Sequence, residues 1–163
     1  MERMGLRRFF RKKSKPVKTE RVERRRGRRI VPPSGTSVLV VDDSSTIRFV
    51  ISKMLWESGY KVVEAANGRE GIEMALEHNP DLIFMDVVMP GINGFQATRM
   101  LKKRSETQNT PIIIISGNKQ AVEQFWAGKI GASDYMEKPF ERGDFFQRME
   151  KVLFPYKVGR VAD

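Results

Sequence analysis

The chain contains no cysteine and only one histidine, His78. Disulfides and thiolate metal sites are therefore excluded, and the composition fits a reducing compartment. No apolar run approaches the length of a bilayer span, and the N-terminus lacks the apolar segment of a secretory signal. The expectation is a cytoplasmic protein. No internal repeat is visible. Length sets a further bound, because 163 residues hold one ordinary domain plus an extension, with no space for a separate catalytic or DNA-binding output domain.

Positive charge is abundant, and it sits at one end. The net charge is +10; residues 1–36 hold 14 Lys/Arg against 3 Asp/Glu, whereas residues 37–163 hold 16 against 17. The first segment runs through Arg24, Arg25, Arg26, Arg28 and Arg29, with few apolar residues beyond Leu6, Phe9, Phe10, Val17, Val22, Ile30 and Val31. Such a stretch buries too little surface to offset its ordering entropy, so residues 1–36 read as a disordered basic arm closed by the linker Pro32 to Thr36. Three readings stay open for it. It is a solvated tail, or a tether to an anionic inner membrane through Leu6, Phe9 and Phe10 among Arg7, Arg8, Arg11, Lys12 and Lys13. Or it binds nucleic acid or an acidic protein by charge alone, nucleic acid with the steep salt dependence of counterion release.

From about Ser37 to residue 157, buried apolar runs alternate with amphipathic stretches, and residues 158–163 form a short tail. Val38–Val41 predicts a strand ending on Asp42 and Asp43. Ser44 or Ser45 then caps a helix reaching Trp56, with Ile47, Val50, Ile51, Met54 and Leu55 at helical spacing. Tyr60–Ala65 predicts the second strand, and Asn67-Gly68 opens a helix with Ile72, Ala75 and Leu76 on one face. Leu82–Met85 is too short for a helix and too uniformly apolar for a half-wet strand, so it predicts a fully buried parallel strand delivering Asp86 at its end. A helix over Phe95–Lys103 follows, then a strand over Pro111–Ile115 ending on Ser116. A helix over Gln120–Lys129, a short strand at Tyr135 and Met136, and a helix over Arg142–Phe154 complete the chain. The pattern predicts a doubly wound five-stranded parallel sheet, a single α/β domain.

The strand ends supply a set on one sheet edge: Asp42, Asp43, Asp86, Ser116 and Lys138. Converging carboxylates repel one another unless a cation relieves them. With oxygen ligands only, that cation is hard, and Mg2+ fits. Metal, ammonium and hydroxyl together are built to neutralise the oxygens of a phosphoryl group, and a carboxylate can be the attacking nucleophile. Taken singly, Asp42-Asp43 also fits an acid pair at a helix N-terminus, and Tyr135 fits plain sheet-edge packing. His78, at a helix C-terminus between Glu77 and Asn79-Pro80, meets the helix dipole and is not read as a phosphodonor. Of the adjacent Phe125 and Trp126, one faces the core and Trp126 is the candidate partner contact.

The set Asp42-Asp43, Asp86, Ser116, Tyr135 and Lys138-Pro139-Phe140 resembles the receiver domain of bacterial two-component response regulators. The resemblance spans residues 37–157. It implies that Asp86 is the phosphoacceptor, charged by a histidine kinase of the CheA-like kind. It further implies that Asp43, Asp86 and the Val88 carbonyl hold Mg2+, with Asp42 acting through water. Ser116 and Tyr135 would be the switch pair, Lys138 would pair with the phosphate, and its bond to Pro139 would be cis. The stretch Met89 to Arg99, with the placement of Trp126, looks like the twitching-motility regulators of type IV pilus chemosensory systems, the PilH kind. That implies a stand-alone regulator acting on a downstream protein, such as pilus machinery or a chemotaxis-like target, with no small-molecule substrate; the basic arm departs from that group's compact pattern. A valine at position 88 cannot hold a hydrolytic water, so slow self-dephosphorylation is expected unless Asn118 compensates. A Mg2+-dependent phosphohydrolase with Asp86 as nucleophile is the competing class, and its only candidate acid is the Asp42-Asp43 pair.

Overall fold

A computed structural model of the chain describes residues 32–118, 120 and 130–155. The basic arm before Pro32, most of the helix expected over 120–129 with Phe125 and Trp126, and the tail at 158–163 lie outside the described residues. Among the described residues the elements run β1 (Ser37–Val41), α1 (Ser45–Trp56), β2 (Lys61–Ala65), α2 (Gly68–His78), β3 (Leu82–Asp86), α3 (Gly94–Lys102), β4 (Ile112–Ser116), β5 (Asp134–Glu137) and α4 (Arg142–Leu153). The strands form one sheet in the order β2-β1-β3-β4-β5, every pair parallel. This is the doubly wound sheet that the alternation of runs predicts.

Helices cover both faces, which is why β3 and β4 are buried at every position. Leu39, Val41, Ile83, Met85, Ile112 and Ile114 point to one side, against Ile72 and Ala75 of α2 and Phe95 and Leu101 of α3. Val38, Val40, Leu82, Phe84, Ile113 and Ile115 point to the other, against Ile51 and Leu55 of α1 and Phe145 and Met149 of α4. Burying each large side chain is worth about 1.5–3 kcal/mol, against at most about 1 kcal/mol for an exposed ion pair, so these two layers fix the fold. On the second face the aromatic rings are continuous. Phe84 stacks on Phe145 at 4.6 Å between centroids, and Phe145 meets Phe140 at 5.4 Å and Phe146 at 5.3 Å.

Short capped loops bring the strand tips to one edge. Ser44 caps α1 by accepting from the Ile47 amide, Asn67 caps α2 from Glu70, and Asn93 and Gln96 cap α3 reciprocally. The boundaries differ slightly from the pattern. Asp86 and Ser116 are the last residues of their strands rather than the first of loops, because their backbones still pair with Ile115 and Glu137. β2 starts at Lys61, since the Tyr60 amide donates to Leu55 O and closes the end of α1. Val50 departs from the expected buried face: Ile51, Met54 and Leu55 are buried, but Val50 is exposed, as are Phe49 and Trp56. The Lys138–Pro139 bond is cis.

Candidate active site

The order β2-β1-β3 reverses direction at β1, and the crevice beyond the carboxyl ends of β1 and β3 is the place where open parallel sheets present ligand groups. Asp42 and Asp43 follow β1 there, and Asp86 ends β3. Ligand oxygens from all three, one per carboxylate, lie within 4.8 Å of one another. Asp42 and Asp86 are buried and Asp43 is exposed. From the far side Lys138, one residue past β5, extends Nζ between two of them, 2.6 Å from Asp42 Oδ2 and 3.0 Å from Asp86 Oδ1.

These contacts set the electrostatics. Burial pushes the Asp86 carboxyl up from its ordinary value and the charges of Asp42 and Asp43 add to that, while the hydrogen bond and charge of Lys138 offset only part. For Lys138, burial alone would depress the ammonium, yet its hydrogen bonds and charge contacts with Asp42 and Asp86 outweigh it and the net shift is upward. One ammonium therefore faces three carboxylates, and the cleft retains an excess of negative charge. An all-oxygen donor set of this spacing fits a hard divalent ion, whose ligands sit roughly 4.2 Å apart across an octahedron of 2.1 Å bonds.

Ser116, fully buried at the tip of β4, has its Oγ accepting from the Asn118 amide at 3.1 Å. Tyr135 is also buried, and its hydroxyl donates to Ser116 O at 3.2 Å. The strand register pairs Tyr135 with Ile114, two residues before Ser116. The sequence-predicted residues Asp42, Asp43, Asp86, Ser116 and Lys138 thus share one edge, with Tyr135 against the Ser116 backbone. Val88 is exposed on the loop after β3.

Residues 38–150 match the family model of the response regulator receiver domain. The chain belongs to this family. It is 40% identical over 116 residues to protein PilH of Pseudomonas aeruginosa, covering 71% of this chain and 96% of that protein. It is 36% identical over 119 residues to the chemotaxis protein CheY of Thermotoga maritima, covering 72% and 98%. Among solved structures, the receiver domain of a sensor histidine kinase from P. aeruginosa, described with a magnesium ion coordinated in its active-site cleft, aligns with a TM-score of 0.68 and 29% identity, covering 73% of this chain and 98% of that one. The chain spans about half the length of the transcriptional regulators it also matches. Receiver domains bind Mg2+ in an acidic cleft, take phosphoryl groups from histidine kinases, and act on downstream targets as signalling modules rather than as enzymes.

Two supports of the receiver cleft escape a reading by strand ends alone. Arg48 of α1 donates from Nη1 to Asp42 O at 2.7 Å and lies 3.5 Å from Glu64 of β2, pinning the peptide that joins Asp42 to Asp43. Its signal is the one charge in the first turn of α1. Gly94 is the second. A Cβ there would collide with Asp86 O and lie 2.8 Å from the Asp86 carbonyl carbon, so the loop returning to α3 can press against the β3 tip only as glycine.

Proposed function

We propose that residues 37–157 act as a phosphorylation-controlled receiver with Asp86 as phosphoacceptor. A free Asp86 carboxylate oxygen attacks the phosphorus of a phosphohistidine, forming an acyl phosphate as the P–N bond breaks and the departing imidazole takes a proton. Asp43 and Asp86, with the Val88 carbonyl, are the residues that would hold Mg2+, Asp42 acting through water. When bound, that ion neutralises charge developing on the phosphoryl oxygens. Lys138 Nζ, already 3.0 Å from Asp86 Oδ1, supplies the second positive charge, and the Ser116 hydroxyl the hydrogen bond. Ser116 and Tyr135 form the switch pair, their contact biasing a population shift toward the form that binds a downstream protein.

The observation that carries this reading is the convergence of three carboxylates within 4.8 Å at the switch point of the sheet, with one lysine bridging two of them. The similarity to PilH favours a CheA-like histidine kinase as donor and a target in type IV pilus or twitching motility. Chemotaxis-like signalling is the nearest alternative. A cytoplasmic receiver held at the inner membrane by its basic arm fits the mix of Leu6, Phe9 and Phe10 with arginine and lysine better than nucleic acid does, because apolar side chains add insertion to charge.

The test is a small phosphodonor, acetyl phosphate, with Mg2+, followed by intact mass. One base-labile phosphoryl group is expected on the natural chain and none on Asp86→Asn. Catalytic turnover of a generic phosphate ester would instead favour the phosphohydrolase. Val88 predicts a phosphoform that persists well beyond seconds, and a half-life of seconds with Mg2+ would contradict it.

A further inference from the structure

Asp42 and Asp43 are neighbours in sequence and opposites in support. The Asp42 amide donates to Ala65 O of β2 at 3.2 Å, its Oδ1 accepts from the Ser44 amide at 2.9 Å, and its Oδ2 accepts from Lys138 Nζ at 2.6 Å. Its carbonyl oxygen accepts from Arg48 Nη1 at 2.7 Å. Among the described residues no hydrogen bond or ion pair holds the exposed Asp43 carboxylate, yet that carboxylate is one corner of the three-carboxylate cluster. Where Asp43 stands therefore depends on the peptide that leads into it. The oxygen of that peptide is the one that Arg48 grips.

The grip comes from outside the cleft. The Arg48 side chain is 17% exposed, and its Nε lies 3.5 Å from Glu64 Oε2 on β2, so one guanidinium engages a carbonyl on β1's tip and a carboxylate on the edge strand together. Two anchors on a planar fork fix its plane, which a single ammonium on a flexible stem does not achieve. We propose that Arg48, steadied by Glu64, is a positioning residue that sets the preference of the cleft for Mg2+ over Ca2+ by fixing Asp43, an inference that rests on the Mg2+ site proposed above. Mg2+ demands near-ideal octahedral oxygens at about 2.0–2.1 Å, whereas Ca2+ accepts about six to eight oxygens at about 2.3–2.6 Å in looser arrangements. A cluster with one free corner suits the larger ion, and a pinned corner suits the smaller. Charge alone predicts the reverse of weakening. Arg48 is a cation beside three carboxylates, so its removal should tighten any divalent ion if only its charge counts. Geometry and charge thus differ in sign.

The experiment titrates the full natural chain, Arg48→Met and Glu64→Gln with Mg2+ and, separately, with Ca2+ by calorimetry. Backbone amide relaxation of Asp43, read by NMR in chelator, reports its mobility without metal. Loss of Arg48 should weaken Mg2+ about tenfold, the usual cost of removing a group that orients a metal ligand, and Ca2+ far less, with Asp43 more mobile in chelator. Glu64→Gln removes only a part-exposed partner, so it should move both readouts the same way by about twofold. Tighter binding of both ions in Arg48→Met overturns the proposal, as does an unchanged ratio of the two dissociation constants or an Asp43 no more mobile than in the natural chain. If Arg48→Met does not fold, an unchanged ratio in Glu64→Gln overturns it instead. A natural chain that binds neither ion, with Asp43 still loosened by Arg48→Met, sinks the Mg2+ site and the selectivity with it, and leaves the hold of Arg48 on Asp43 standing.

Discussion

The hydroxyl of Tyr135 donates to the carbonyl oxygen of Ser116 at 3.2 Å, so the ring that would report phosphorylation is tied to the strand whose hydroxyl would sense it. Tyr135→Phe keeps the buried ring and removes this bond. A loss of about 0.5–1.5 kcal/mol is expected, a fall of a few degrees in Tm, with Mg2+ affinity unchanged because no metal ligand is touched. Thermal melts with and without Mg2+ check both halves.

Lys138 is the sole protein cation paired with the side-chain carboxylates of Asp42 and Asp86 among the described contacts. Lys138→Met leaves two buried carboxylates unpaired. Removing one partner of a fully buried pair costs about 3–5 kcal/mol, and because Lys138 is one-fifth exposed a smaller loss, about 2–3 kcal/mol, is expected at neutral pH without metal. Saturating Mg2+ should restore most of it. Urea unfolding in chelator and in Mg2+ measures the difference.

The upward shift of Asp86 has a definite sign in pH. Burial, its largest cause, makes the folded protein hold that proton more tightly than the unfolded chain does. Ionising the group therefore costs stability as pH rises from the unfolded value of 3.8 through the higher folded one, and the loss persists above it. In chelator at pH 7, Asp86→Asn should melt above the natural chain, with Lys138 still held by Asp42, and the gap should close toward pH 3.8. Mg2+ should reverse the order, stabilising only the natural chain, by about 2.7 kcal/mol at a hundred times its dissociation constant. An asparagine variant no more stable at pH 7 would refute the burial argument.

Gly94→Ala places a methyl against the Asp86 carbonyl and 3.0 Å from Val87 Cα, all of it backbone. Neither partner is a flexible side-chain tip, so the β3–α3 loop must move. A cost of about 2–3 kcal/mol is expected together with weaker Mg2+ binding, whereas Gly143→Ala, which meets nothing within 4 Å, should leave the metal titration unchanged.

Buried parallel strands announce themselves because both faces are covered, so Leu82–Met85 and Pro111–Ile115 read as unbroken apolar runs and the residues at their ends follow. The acidic edge is therefore legible in the sequence itself. The contact between Lys138 and Asp42 is not, because 96 residues separate them and only the sheet order brings β5 within reach of β1 through the loops. Periodicity also misjudged α1, since an apolar residue at helical spacing marks a wide stripe and Val50 falls on its outer margin. Arg48 and Gly94 act through backbone groups, which side-chain chemistry does not advertise.

The stack of Phe84 on Phe145 has a mechanical corollary. Phe84 stands two residues before Asp86 on a strand hydrogen-bonded on both edges, and its ring is braced by an aromatic chain running into α4. A strut clamped on every side would not recoil if, as proposed, a phosphoryl dianion were loaded onto its tip. The displacement would then be taken up by the compliant parts around it, the turns after β3 and β4, and the proposed message would leave the pocket sideways rather than down the beam that carries it.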